Sequence, residues 1–207
     1  MKFDMDFNVN GPDPVRGRTL HRLNARQLRS FEPENLDTPS ILSVRKRFPL
    51  YFILDNVYDT YNIGGLFRLA DALNISKLYI CGDSETPPNH KIKKASIGTY
   101  KIVPWEYKKT TKEAIVALRD GLNNIGPKSG PLLVVAVEQA KGSVPYYSFS
   151  YSFPLALVVG NETRGCSNKT LAACDAVVEI PMFGTNISLN VIVSTAVVGY
   201  HARKAGP

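Results

Sequence analysis

The chain has 207 residues, 44% of them hydrophobic and 21% charged, with a formal net charge of +7 at neutral pH. That length and composition suit one well-packed domain with a short appendage and exclude an intrinsically disordered chain. The positive balance favours a polyanionic partner.

Residues 1–48, with Pro12, Pro14, Pro33 and Pro39, read as a basic extension preceding a domain at 49–207. Its first residues, MKFDMDFNVNGPDP, are acidic and lack the apolar core of a signal peptide. Within it, RGRTLHRLNARQLR (16–29) holds five arginines and no acid, which makes Arg22 and Arg26 candidates for phosphate contact. The short apolar run YFILD (51–55) predicts a strand, and residues 62–73 place Ile63, Leu66, Phe67, Ala70 and Leu73 on one helical face. KLYICG (77–82) predicts the next strand. Residues 91–112 hold seven lysines against one acid, Glu106, interleaved with Tyr100, Trp105 and Tyr107. This stretch reads as a lysine-rich loop with a short strand near 100–103, and Lys93 and Lys94 are its candidate phosphate contacts, with the rings free to stack on unpaired bases.

Residues 110–122 predict a helix with Ala114, Ile115, Ala117 and Leu118 inward. LLVVAVE (132–138) and LALVVG (155–160) are apolar on both faces, as in a parallel sheet covered on each side. AVVEIPM (176–182) predicts one more strand and 187–204 a closing helix. Alternating strands and helices give an open α/β sheet with helices on both faces. No apolar run reaches the roughly 18 residues of a membrane span. Three cysteines without metal-ligand spacing fit a reducing, cytoplasmic setting.

In open α/β sheets ligands bind beyond the carboxyl ends of the strands. Three such ends are followed by DNVYDTYNIGGLFR, GNETRGCS and PMFGTNISLN, all carrying Gly with Asn, Glu, Ser or Arg. Singly, Asn62 or Ser188 could cap a helix and Glu162 could face a helix dipole; together at one sheet edge they indicate a binding site. There is neither GxGxxG after the first strand nor GxxxxGK[ST], so a dinucleotide fold and a P-loop are disfavoured. His21, His90 and His201 are scattered, which disfavours a Ser-His-Asp hydrolase, a zinc centre or any other metal site. The chemistry falls to Asn, Arg, Glu, Ser and backbone groups.

NIGGLFRLADAL (62–73), LVVGNETRGCS (157–167) and IPMFGTNISLNVIVSTAV (180–197) resemble the three motifs of the SpoU family, TrmH-like RNA ribose 2′-O-methyltransferases of the SPOUT superfamily. The resemblance spans roughly residues 50–204. It implies a carboxyl-terminal part threaded into a deep trefoil knot, S-adenosylmethionine as methyl donor, and a homodimer through the closing helix. Arg68 matches the arginine that acts on the ribose hydroxyl, either as base or as a charged stabiliser. Asn62, Glu162, Ser188 and Asn190 match the residues that shape that site. Gly160, Ile180 and Leu189 match positions that hold the adenosyl group largely through backbone, with Val137 and Met182 lining the same pocket. Arg164 stands where the family varies and is a candidate RNA contact; Cys166 reads as a small apolar filler.

The length before residue 49 favours tRNA over rRNA as substrate, with rRNA open. A non-catalytic RNA-binding relative and an unrelated α/β nucleotide-binding enzyme remain the alternative classes.

Overall fold

The computed structural model describes residues 23–30, 47–124 and 130–206. The chain divides into two units, 1–46 and 47–207. In the first, the described part is α1 (Ala25–Ser30), which buries none of its residues. Asn24 caps it: its Oδ1 accepts from the Gln27 N–H at 2.9 Å, and Gln27 Oε1 accepts from the Asn24 N–H at 2.8 Å. Arg26 is exposed, while Arg22 lies outside the described residues.

The second unit is a seven-stranded, all-parallel sheet. Its elements in chain order are β1 (Phe48–Asp55), α2 (Thr60–Ala72), β2 (Ile75–Cys81), α3 (His90–Ser96), β3 (Trp105–Lys108), α4 (Thr111–Asn123), β4 (Leu133–Val137), β5 (Val144–Pro145), β6 (Leu155–Val159), α5 (Asn168–Leu171), β7 (Ala176–Glu179) and α6 (Val191–Lys204). The spatial order is β3-β2-β1-β6-β4-β7-β5. The most apolar runs, β1, β6 and β4, lie side by side, and every residue of β6 is buried.

Strand alternation sorts the core into two layers. Leu50, Phe52 and Leu54 of β1 with Leu155, Leu157 and Val159 of β6 pack among α2, α3 and α6 residues. Ile53, Ala156, Val158 and Val134 face the other way, onto Ala114, Ile115, Leu118 and Leu122 of α4. Burying a side chain such as Phe52 or Phe67 completely contributes about 1.5–3 kcal/mol. The two glycines of NIGG serve close packing on two sides of α2. A Cβ on Gly64 would lie 2.5 Å from Ala95 Cβ of α3, and one on Gly65 would run into the Ile192 side chain of α6.

Three expectations change. The lysine-rich stretch is no loop: it forms α3, a 3₁₀ turn at Thr99–Lys101 and then β3, which sits at Trp105–Lys108 in place of 100–103. Asn89 starts α3 by accepting from the Lys91 N–H at 2.9 Å. Of the interleaved rings, Trp105 packs edge-on against Phe67 and Tyr100 joins the core, so only Tyr107 stays exposed. Finally, the closing helix begins at Val191 and not at 187, because Asn190 takes the cap position and accepts from the Ile192 N–H at 2.8 Å. Residues 183–190 are irregular and exposed.

Among the described residues no helix is long and apolar enough to cross a membrane.

Candidate donor and RNA site

Three chain segments meet beyond the carboxyl ends of β1, β4, β6 and β7, and each is held by side chains suited to its turn. After β6, Asn161 organises the 161–165 turn: its Oδ1 accepts from the Thr163 and Arg164 N–H groups at 2.9 and 3.0 Å. The backbones of Asn161 and Gly165 exchange bonds of 3.1 and 2.8 Å, with Gly165 at φ +63°. The Asn161 amide donates to the Asn56 carbonyl at 2.9 Å, tying this turn to the end of β1. Glu138, immediately after β4, accepts from the Cys166 N–H at 2.8 Å and fixes the other side of the turn.

That turn presents Glu162 to the start of α2. The carboxylate accepts from the Tyr58 and Asp59 N–H groups, each at 3.1 Å, and from the Asn62 amide at 2.9 Å. Partial burial acts to raise its pKa, but the Asn62 amide and the backbone donors outweigh it and hold the carboxyl below its ordinary value. Asn62, itself buried, accepts through Oδ1 from the Asn190 amide at 2.9 Å. One side chain therefore links all three motif segments. Gln139 adds a fourth tie, donating to the Ile187 carbonyl at 2.7 Å across the cleft.

The cleft between these segments measures about 540 Å³ and is lined by Val137, Gly160, Ile180, Met182 and Leu189, the five residues expected to hold a donor. Glu162, Arg164, Ser188 and Asn190 line it as well. The volume falls in the range of small-molecule sites. The Leu189 N–H makes no hydrogen bond among the described residues, and a Cβ on Gly160 would run into the backbone of Gly165 and Cys166, so the chain is drawn tightly round this end of the cleft. Apolar walls with a free backbone donor fit an adenosyl group.

Arg68 and Asn62 do not line the cleft. Asn62 stands behind it, holding Glu162 and Asn190. Arg68 lies on the exposed side of α2 with no hydrogen bond or ion pair among the described residues. The Ser188 hydroxyl likewise has no partner there, although its N–H donates to Asn186 Oδ1 at 3.4 Å. Lys93 and Lys94 are exposed on α3, and Arg164 is exposed at the cleft rim. Cys166 is buried, and burial pushes its thiol well above the ordinary range, as it pushes Cys81 and Cys174 up to about 12. These thiols stay protonated and unreactive near neutral pH.

Glu138, Gln139 and Asn161 had not been singled out from sequence. Glu138 and Gln139 directly follow the apolar run LLVVAV, so the same strand-end rule that selected the other loops applied to them.

Residues 49–200 match the SpoU rRNA Methylase family. The 23S rRNA (guanosine-2′-O-)-methyltransferase RlmB of Vibrio parahaemolyticus is 29% identical over 92% of this chain and 72% of its own length. The SpoU methyltransferase AviRb from Streptomyces viridochromogenes, solved in complex with the cofactor AdoMet, superposes with a TM-score of 0.68 at 28% identity, over 79% of this chain and 62% of that one. The A. aeolicus TrmH/SpoU tRNA modifying enzyme gives a TM-score of 0.64 at 27% identity, over 87% of this chain and 81% of that one.

Proposed function

The chain belongs to the SpoU methylase family, and from that premise we propose that it methylates a ribose 2′-hydroxyl of ribosomal RNA with S-adenosylmethionine as donor. The observation that carries this reading is the convergence of Gly160, Ile180, Met182, Leu189 and Val137 on one cleft whose rim bears Glu162, Ser188 and Asn190. Bound there, the donor would supply a methyl group on a sulfonium, open to in-line displacement by a ribose oxygen. The chain's own part is positioning. The Glu162–Asn62–Asn190 chain of hydrogen bonds fixes the rim, and the Leu189 N–H is available to the adenosyl group.

Arg68 is exposed and unpaired among the described residues, the setting of a cation that grips phosphate and stabilises a developing oxyanion. One helical turn before it, Gly64 packs against Ala95 of α3, a helix whose exposed Lys91, Lys93 and Lys94 add cationic surface. Charge reversal at Lys93 and Lys94 is expected to weaken RNA binding and flatten its salt dependence; an unchanged salt slope would remove α3 from the interface. Arg22 and Arg26 of the amino-terminal extension are assigned to the same polyanion.

The expectation of tRNA rested on the short stretch before residue 49. Relatives that act on 23S rRNA by name, matched over 92% of this chain, support rRNA instead. The trefoil threading implied by the motifs belongs to this reading, as does a cytoplasmic setting. So does a homodimer: on α6, Val193 is 46% and Tyr200 51% exposed, and Phe183 before it 96%, an apolar surface that a second copy would cover. Light scattering at micromolar concentration tests it, a monomer being the contrary result. The substrate is tested by methyl transfer to purified rRNA and tRNA side by side. Faster labelling of rRNA is expected, and labelling of tRNA alone would reverse the assignment.

A further inference from the structure

We propose that Tyr58 and Tyr61 form a stacking platform for an unpaired base of the RNA, so that the enzyme takes its target from single-stranded or extruded nucleotides and not from a closed duplex. This rests on the methyltransferase reading and deepens it by naming the form of the substrate.

Each residue is 51% exposed. Half-exposed tyrosines are ordinary on a protein surface; what distinguishes these two is how their backbones are held. The Tyr58 N–H donates to Glu162 Oε2 at 3.1 Å, and the Tyr61 N–H donates to Asp59 Oδ1 at 2.7 Å, where Asp59 caps α2 and also donates its own N–H to Glu162 Oε1 at 3.1 Å. The chain carrying the rings is thus tied to the same carboxylate that binds Asn62, while the ring faces have no aromatic partner among the described residues. A pinned backbone with an open ring loses little freedom on binding a base, and a base face is a sequence-tolerant partner for such a ring.

The placement also matches the charge. Tyr61 and Arg68 are seven residues apart on α2, on one side of the helix and about 10.5 Å along its axis. Both are exposed, and Arg68 has no counter-ion among the described residues. A single strand laid along this side meets first a ring for its base and then a guanidinium for its phosphate. Closed A-form RNA cannot offer a base face to Tyr58 or Tyr61, since its bases are stacked on one another.

The test measures binding of a short oligoadenylate and of a blunt RNA duplex to the full chain, by fluorescence anisotropy, for wild type, Tyr58→Ala, Tyr61→Ala and the two Phe variants. The alanine variants are expected to lose on the order of 10- to 100-fold in oligoadenylate affinity, as for removal of a stacking ring, with duplex affinity unchanged and Phe restoring the single-strand binding. Equal losses for both RNAs, unchanged affinity for oligoadenylate, or failure of Phe to restore it would overturn the platform. Conversion of either alanine variant to a monomer in light scattering would also overturn it, by assigning the rings to a second copy. Calorimetric titration of wild type with S-adenosylmethionine separates the two readings: absent donor binding contradicts the methyltransferase assignment whatever the oligoadenylate result.

Discussion

Asn62 and Glu162, 100 positions apart in sequence, are joined by a 2.9 Å hydrogen bond from the asparagine amide to the carboxylate Oε1. Because Asn62 also accepts from Asn190, this bond connects the start of α2, the turn after β6 and the cap of α6. Replacing Asn62 by Ala would remove both hydrogen bonds and leave a void in place of a side chain that is 6% exposed. The expected loss is about 1–3 kcal/mol of folding stability, read as a drop of several degrees in thermal midpoint. An unaltered midpoint would make the bond incidental.

The same carboxylate predicts a pH dependence. The folded-state pKa of Glu162 lies below its ordinary value of 4.5, so its contribution is fully present above that value and is lost as pH falls through the lower folded-state pKa. Glu162→Gln is therefore expected to flatten the decline of stability below about pH 4.5 relative to wild type. Parallel stability curves for the two proteins on the acid side would contradict the assignment.

Much of this arrangement was legible in the sequence. Continuous apolar runs marked β4 and β6 as strands covered on both faces, and the strand-end loops marked the edge where the cleft lies, while its five lining residues were expected from the resemblance of the motifs alone. Other features depend on contacts between distant segments and leave little local trace. The helical start at Val191 follows from Asn190 serving at once as cap and as partner of Asn62, which no periodicity encodes. α3 was obscured because its buried side is small, with Ile92 and Ser96 against Gly64, so its lysines dominated the pattern. Trp105 and Tyr100 read as surface rings because their packing partners lie on other elements.

Gly160 allows a test of the cleft itself. An added Cβ would meet the backbone of Gly165 and Cys166, and backbone held by Glu138 and Asn161 cannot yield freely. Gly160→Ala is expected to lower donor affinity by roughly tenfold or more through displacement of the turn. Calorimetric titration measures it, and wild-type affinity would show that the turn does not shape the donor pocket.

For Arg68 the expected split is the opposite. Its side chain lies outside the cleft lining, so Arg68→Ala should leave donor binding near wild type while single-turnover methyl transfer falls by about 10²–10³, as when an oxyanion-stabilising donor is lost. Arg68→Lys should not restore the rate, because a point charge does not reproduce the planar fork. Collapse of donor binding would make Arg68 a structural residue; unchanged turnover would remove it from the reaction.

The central claim, methylation at the ribose oxygen, is tested most directly by incubating the protein with methyl-labelled S-adenosylmethionine and rRNA and then hydrolysing the RNA in alkali. A methyl on the 2′-oxygen blocks the attack that cleaves the next phosphodiester, so the account predicts label in alkali-resistant dinucleotides, lost with Arg68→Ala. Label recovered entirely in mononucleotides would place the methyl on a base and contradict it.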